Sequence, residues 1–448
     1  MTEADTRFPM ATDALRQISQ MVLARARANG ATAAEAEVSQ GFGQSVSIRK
    51  GEVETIEYTR DKGVTVSVYV GQRRGHASSV DTSAAALEAT VDKALTIARY
   101  TEEDDCAGLA DPDRLARELP ELDLYHPWQA TVDEAIEIAQ RCERAALDVD
   151  PRINNSEGAS VSAHESEFVY ANSLGFIGGY KGSRHGISCS VIAEENGSMQ
   201  RDYWYTSSRL PGELEAADVV GRIAGERSVR RLNAQKLSTR SAPVLFEASI
   251  ASGLIGHFVG AVSGGSLYRK SSFLLDSIGQ QVFAPHIRIS EMPHLPRGVA
   301  SAPFDDEGVA TTARDVVSEG IVQGYFLGSY SARKLGMSTT GNAGGTHNLI
   351  ISHGDDDFEA MLRRMGTGLL VTELLGQGIN PVTGDYSRGA AGFWVENGKI
   401  SYPVEEITIA GNLRDIYKRI IAIGNDVDHR GSRQTGSILI EEMIIAGS

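Results

Sequence analysis

Cysteine is scarce in this chain. Cys106, Cys142 and Cys189 are the three in 448 residues, and no CxxC pair occurs. That spacing excludes a zinc ribbon and a dithiol redox motif. An odd number of thiols in a long chain suits a reducing compartment better than a disulfide scaffold. Positive charge is also short: 43 Lys and Arg stand against 59 Asp and Glu, a net charge of −16. No basic patch overrides that balance, which disfavours nucleic acid and anionic membrane as partners. Uninterrupted apolar runs never approach the ~18 residues of a membrane span. The opening MTEADTRFPM carries Glu3 and Asp5 without an apolar core, which does not fit a signal peptide. The expectation is a soluble, cytoplasmic protein. Among catalytic signatures, HExxH, GxSxG, GxxxxGK[ST] and GxGxxG are all missing.

What the chain has in excess is glycine, 47 of 448 residues, with aromatics at 6%. Many tight turns and a β-rich, turn-dense fold follow from such a composition. The length calls for two or three domains.

Leu15, Ile18, Val22 and Ala26 recur at helical spacing, and Asn29-Gly30 stops them. SVSIRKGEVETIEY then turns at Lys50-Gly51, and GVTVSVYV alternates through Val64, Val66, Val68 and Val70. A second helix runs from about Ser83 to Tyr100. The order then repeats: a helix at about Thr131–Leu147, strands over about Asn154–Ser207, and a helix through Glu213–Arg231. GISCSV at Gly186–Val191 matches GVTVSV at Gly63–Val68, so Cys189 falls where Val66 falls and reads as a small core residue. Either an internal duplication or two parts of one layered body fits this pattern. After about Ala242, glycine-punctuated strands dominate, among them HNLIIS and SILIEEMII, and Asn397-Gly398 marks a two-residue hairpin turn. DDDFEAMLRRM, and Leu413, Ile416 and Ile420 after Asn412, read as helices.

The fold class is therefore α+β, with helix-flanked antiparallel sheets in the N-terminal part and a β-rich, Gly-punctuated C-terminal domain. Residues 1–103 form an N-terminal α+β segment, 104–129 an acidic, turn-rich linker, 130–240 a second α+β segment of similar order, and 241–448 the C-terminal domain.

Chemistry is harder to place. His164-Glu165 starts like a zincin motif, but no second histidine follows and the alternation there makes it strand surface. Six histidines lie after Ala242: His257, His286, His294, His347, His353 and His429. Extended chain holds the near neighbours, His286 with His294 and His347 with His353, too far apart to share one ion without a bend. His257 sits in the small, apolar GLIGHFVGA, either as a metal ligand or as a residue that packs. The loop from Gly378 to Gly389 is dense in polar side chains and glycine. Asn-Pro and Gly-Asp are turn chemistry, while Asp385, Ser387 and Arg388 offer groups that hold a peptide backbone or a carboxylate.

GQGINPVTGDYSRGAAGFWVENGKISYPVEEITIAGN, IAIGND at Ile421–Asp426, GLIGHFVGA and FVYANSLGFIGGYKGSRHGISCSVIAEENGSMQRDYWY together resemble the PmbA/TldE subunit of the TldD/TldE (PmbA) peptidase family. The resemblance covers nearly the whole chain. It implies a cytoplasmic, zinc-dependent peptidase complex of two related subunits acting on peptides or unfolded polypeptides. The TldD-type subunit supplies zinc ligands from an HExxxH motif and a downstream cysteine, and its glutamate is general base to the metal-bound water. Placing His257 on the second histidine puts Ser252 on the first and Gly253 on the glutamate, and no cysteine follows Cys189.

His257 is thus the only position matching a family ligand. The expectation is that this chain holds no catalytic residue and no metal, and that zinc and base belong to a TldD-type partner. A homodimer stays open in that partner's absence. His257, Asn380, Thr383, Asp385, Ser387 and Arg388 are the candidates for a substrate groove. Two alternatives remain: an autonomous metallopeptidase using His257 with His286, His347 or a carboxylate, and a peptide-binding scaffold without enzymatic role.

Overall fold

The computed structural model describes residues 7–447; Glu3 and Asp5, on which the leader argument rests, lie outside the described residues. The N-terminal half follows the repeat seen in the sequence. Its first copy is α1 (Thr12–Ala28), β1 (Ala33–Arg49), β2 (Glu52–Val70), β3 (Arg73–Ser79) and α2 (Ala84–Tyr100). Its second is α3 (Val132–Leu147), β4 (Ile153–Asn172), β5 (Ile177–Glu195), β6 (Ser198–Ser208) and α4 (Ala217–Arg230). Both copies enter one six-stranded sheet, ordered β3-β2-β1-β4-β5-β6, in which β1 and β4 pair antiparallel at the centre. Lys50 and Gly51 both have positive φ, which closes the β1–β2 hairpin where the sequence turns. Thr131 and Glu134 cap α3 reciprocally. The last helix starts later than its periodicity suggests, because Leu214 is extended and a short 3₁₀ turn, Pro211–Glu213, precedes it.

The four helices cover one face of the sheet. Leu15, Val22, Val64, Val66, Leu87 and Val91 form one apolar cluster, and Val46, Ile48, Cys142, Val161, Cys189 and Val220 another. Cys189 is buried as Val66 is, in the corresponding strand of the other copy. Between the clusters lies a polar seam on β4. Glu165 is not strand surface: it is buried, salt-bridged to Arg7 and accepts a 2.8 Å hydrogen bond from Tyr125 Oη. Strand alternation places it on the helix-covered face while His164 stays exposed.

The opposite face turns toward the C-terminal part, where Tyr170 and Phe176 pack on Phe304. The acidic stretch 104–129 forms no helix or strand but is strapped down. Arg333 donates to the carbonyls of Cys106, Gly108 and Leu109, and Leu109, Ala110, Leu122 and Leu124 are buried.

In the C-terminal part, β7 (Arg240–Phe246) runs directly into α5 (Ala248–Ala261), followed by α6 (Gly264–Tyr268). Strands β8 (Ile289–Met292), β9 (Arg314–Ser318) and β10 (Ile321–Val322) precede α7 (Ser329–Lys334). Then come β11 (Asn348–Ile351), α8 (Phe358–Met365), β12 (Gly368–Leu375), β13 (Asp385–Glu396) and β14 (Lys399–Asn412). The chain ends through α9 (Leu413–Lys418), β15 (Ile420–Ile423), β16 (Arg433–Gln434) and β17 (Ile438–Ala446). Ile420, read as the last apolar position of a helix, instead opens β15, because the helix stops at Lys418 and Ile420 pairs with Ile440.

One sheet runs β14-β13-β12-β7-β17-β15, and a further β14–β17 pairing closes five of its strands into a barrel. The other is ordered β10-β9-β8-β11-β16. The expected α+β class, with its β-rich second half, is what the chain forms. Among the described residues, no helix is long and apolar enough to cross a membrane.

Candidate functional site

GLIGHFVGA becomes the body of α5, seated by Leu254, Ile255 and Phe258 in the C-terminal core. Tyr417 Oη, itself buried, donates to the Leu254 carbonyl at 2.9 Å and fixes the helix to α9. The other face carries Ser252, Gly253, Gly256, His257 and Gly260, spaced at three and four residues, and all are at least partly exposed. A Cβ added at Gly253 or Gly260 would meet nothing within 4 Å, so this face opens outward.

Two strands bring side chains to it. β13 places Tyr386 and Arg388 on one side of the strand, and the Tyr386 ring lies edge-on to His257 with centroids 6.0 Å apart. β16, held parallel to β11, lays the Arg433 guanidinium against α5, with Nη1 3.2 Å from where a Gly256 Cβ would stand. Burial first, then the charges of Arg388 and Arg433, push the His257 pKa down to about 4. At neutral pH the ring is therefore uncharged. Burial pushes the Tyr386 phenol up to about 12, with Arg388 opposing. Tyr386 Oη is buried beside Arg388, yet neither it nor Arg388 Nε makes a hydrogen bond of ordinary geometry.

The structure thus brings His257 and Arg388 together. Of the other groove candidates, Asn380, Thr383 and Asp385 hydrogen-bond within the turn. Asn380 Oδ1 accepts from the Val382 and Thr383 amides, Thr383 Oγ1 donates to Asp385 at 2.7 Å, and Asn412 Nδ2 donates to Asp385 at 3.0 Å. Those hydrogen bonds from Thr383 and Asn412 hold the Asp385 carboxyl below its usual range. Asn380, Thr383, Asp385 and Ser387 are all exposed, and alternation points Ser387 away from Tyr386 and Arg388.

Tyr386 and Arg433 were missed in the sequence. Tyr386 was findable, since it precedes Arg388 by two in an alternating strand. Arg433 carries no local signal, because a pairing of residues more than eighty apart delivers it to α5.

Two clefts open where the N-terminal sheet meets the C-terminal part. One, of about 570 Å³, adjoins the start of α5 and is lined by Trp204, Glu215, Glu247, Ser249, Asp426 and Arg430. Arg430 stacks there on Trp204 and Tyr205, its Cζ 4.0 and 4.4 Å from the ring centres. The other, of about 560 Å³, lies away from α5 and includes Glu35, Tyr69, Arg74, Tyr170, Asp306 and Tyr330.

Set against known proteins, residues 239–447 match the PmbA/TldA metallopeptidase C-terminal domain, 125–232 the central domain and 34–98 domain 1. The chain is 53% identical over 425 residues to metalloprotease PmbA of Escherichia coli O157:H7, covering 95% of this chain and 94% of that one. A crystal structure from Bacteroides thetaiotaomicron, of a protein named for modulation of DNA gyrase, superposes with a TM-score of 0.93 at 29% identity. It covers 98% of this chain and 100% of that one. TldE from Thermococcus kodakarensis shares the fold, with a TM-score of 0.84 at 19% identity over 97% of this chain and 99% of its own.

Proposed function

This chain belongs to the PmbA/TldA metallopeptidase family, and from that premise we propose that it is the subunit of a cytoplasmic peptidase complex that holds substrate without cleaving it. The metal, zinc, and the general base come from a TldD-type partner. The observation that carries this reading is the surroundings of His257. Where the family's HExxxH helix offers three donor side chains, α5 offers Ser252, Gly253 and His257. A serine hydroxyl is a weak zinc ligand, and glycine has no group to take a proton. The charges acting on His257 are those of Arg388 and Arg433, which repel a dication. Among the described residues no three His, Cys, Asp or Glu side chains stand close enough to hold a metal ion. The residues at α5 do not fit zinc, and no step of hydrolysis runs through them.

A role in holding extended peptide is supported by one sheet edge. Over Glu52–Lys62, β2 pairs with β1 alone, because β3 reaches only Val64–Val70. Main-chain groups on that edge offer β-augmentation to an extended segment.

The test is proteolysis of an unstructured polypeptide by the purified chain, alone and mixed with a TldD-type subunit, together with metal analysis of each. Cleavage only in the mixture, with zinc tracking the partner, is expected. Chelator-sensitive cleavage by this chain alone, with near-stoichiometric zinc, overturns the reading.

A further inference from the structure

We propose that Arg388, Arg433, Tyr386 and His257 form a carboxylate-binding site on the open face of α5, one that takes a carboxylate carried by a peptide chain. The first ground is an imbalance of charge. Arg227 sits on Asp202 and Glu247, Arg314 on Glu291 and Arg430 on Asp428, while Arg184 and Arg209, enclosed without an acid, donate to a serine hydroxyl and main-chain carbonyls. Arg388 and Arg433 are half-buried and near one imidazole, and no carboxylate acts on that imidazole beside them. Half-buried guanidiniums without an anion lose hydration that nothing replaces. A chain of net charge −16 has no shortage of acids to place there. An anion from outside the chain supplies the missing charge.

The second ground is an unused donor. Tyr386 is 1% exposed, and the group its Oη meets is the Arg388 guanidinium, itself a donor, so among the described residues the phenol O–H has no acceptor. Leaving such a donor buried and unpaired is costly, so its retention points to a ligand that completes it. The chemistry of that ligand follows from the donors. A guanidinium presents parallel N–H groups matching the two oxygens of a carboxylate, a phenol adds one O–H, and a neutral imidazole adds one N–H. Gly253 and Gly260 leave the helix face clear of side chains that would block its approach.

The site rests on the reading above only in taking a peptide as its ligand, and its test needs no partner and no proteolysis. Calorimetry on the full chain compares three acetylated alanine tetrapeptides. One has a free C-terminal carboxylate, one is amidated with a single internal aspartate, and one is amidated with no carboxylate. At least one acid peptide should bind about tenfold or more tighter than the neutral amide, as charge-assisted hydrogen bonds require. Which acid peptide prefers the site identifies chain terminus or side chain as the source. Added salt should weaken the binding, and the double variant R388Q/R433Q should abolish it while keeping the wild-type circular dichroism. Single R388K and R433K variants, which keep charge but lose the fork, should bind more weakly than wild type; they serve if the double variant does not fold. Equal affinity for acid and amide, binding by neither acid peptide, tighter binding of inorganic phosphate, or unchanged affinity in the variants overturns the proposal.

Discussion

Arg433 lies against Gly256 with its Nη1 3.2 Å from the place of a Cβ, so the guanidinium occupies space that almost any other residue at 256 would fill. At the next residue of the helix, burial and then the charges of Arg388 and Arg433 act on His257. The folded-state pKa of about 4 lies below the ordinary 6.5, so the folded protein binds fewer protons than the unfolded chain between those values. Stability credited to neutral His257 is complete above about pH 6.5 and is lost as pH falls toward 4. Side-chain NMR should show this imidazole neutral at pH 5.5. R433Q or R388Q should shift its titration upward. The H257Q variant should lose less stability than wild type between pH 6.5 and 4.5, and an equal loss in both would refute the assignment.

At the α3–α4 contact, Gly221 admits no side chain. A Cβ there would collide with the Cys142 carbonyl and the Ala146 amide, both main-chain groups that cannot swing aside. Helix propensity alone makes Gly→Ala stabilising, yet overpacking of this kind costs roughly 1–3 kcal/mol. Gly221→Ala should therefore lower the denaturation midpoint, whereas Gly212→Ala, where a Cβ meets nothing, should not. A G221A protein as stable as wild type would mean the helices separate freely.

Why the duplicated half was readable and the site only partly so is visible in these residues. Val64, Val66 and Val68 alternate, and Leu87, Val91, Ala94 and Ala98 recur by helix turns. Both patterns are local, and both became β2 and α2. The Asn397-Gly398 hairpin was equally local, and both residues take positive φ. Whether two copies share a sheet is a question of long-range pairing, answered only by β1 against β4. The same holds at the site. Arg388 was marked by its loop, but its company came from β16 and α5, which no sequence period announces. Polar density marked a turn as well as a surface, since Asn380, Thr383 and Asp385 hydrogen-bond within it.

Cys189 and Cys142 share one apolar cluster, and contact between the thiols, then burial, holds Cys189 far above the ordinary thiol value. The Cys189 thiol is no nucleophile under such conditions. Because Val66 fills the matching place in the other copy, Cys189→Val should cost under about 1.5 kcal/mol. Cys189→Ser buries a hydroxyl in the same site and should cost more, about 1–3 kcal/mol if it stays unpaired. Urea denaturation of the two variants gives the order, and a serine variant more stable than the valine variant would contradict it.

Arg227 on α4 joins the two parts of the molecule. It donates to Asp202 on β6 at 3.2 Å and to both oxygens of Glu247, the residue that opens α5, at 2.9 and 3.0 Å. Burial alone would disfavour its charge, but Glu247 and Asp202 more than offset that and keep it protonated. Replacing it by methionine fills much the same volume; it leaves Glu247, its side chain 16% exposed, without a counter-ion and Asp202, 7% exposed, with only Arg231 at 3.7 Å. Removing one partner of a buried ion pair typically costs about 3–5 kcal/mol, so Arg227→Met should lower the melting temperature by many degrees at neutral pH. The triple variant R227M/D202N/E247Q removes the stranded charge and should recover much of the loss. Calorimetric melts of the three proteins decide the matter: an R227M chain that melts with wild type shows that the pairing contributes nothing to holding α5 against the N-terminal sheet.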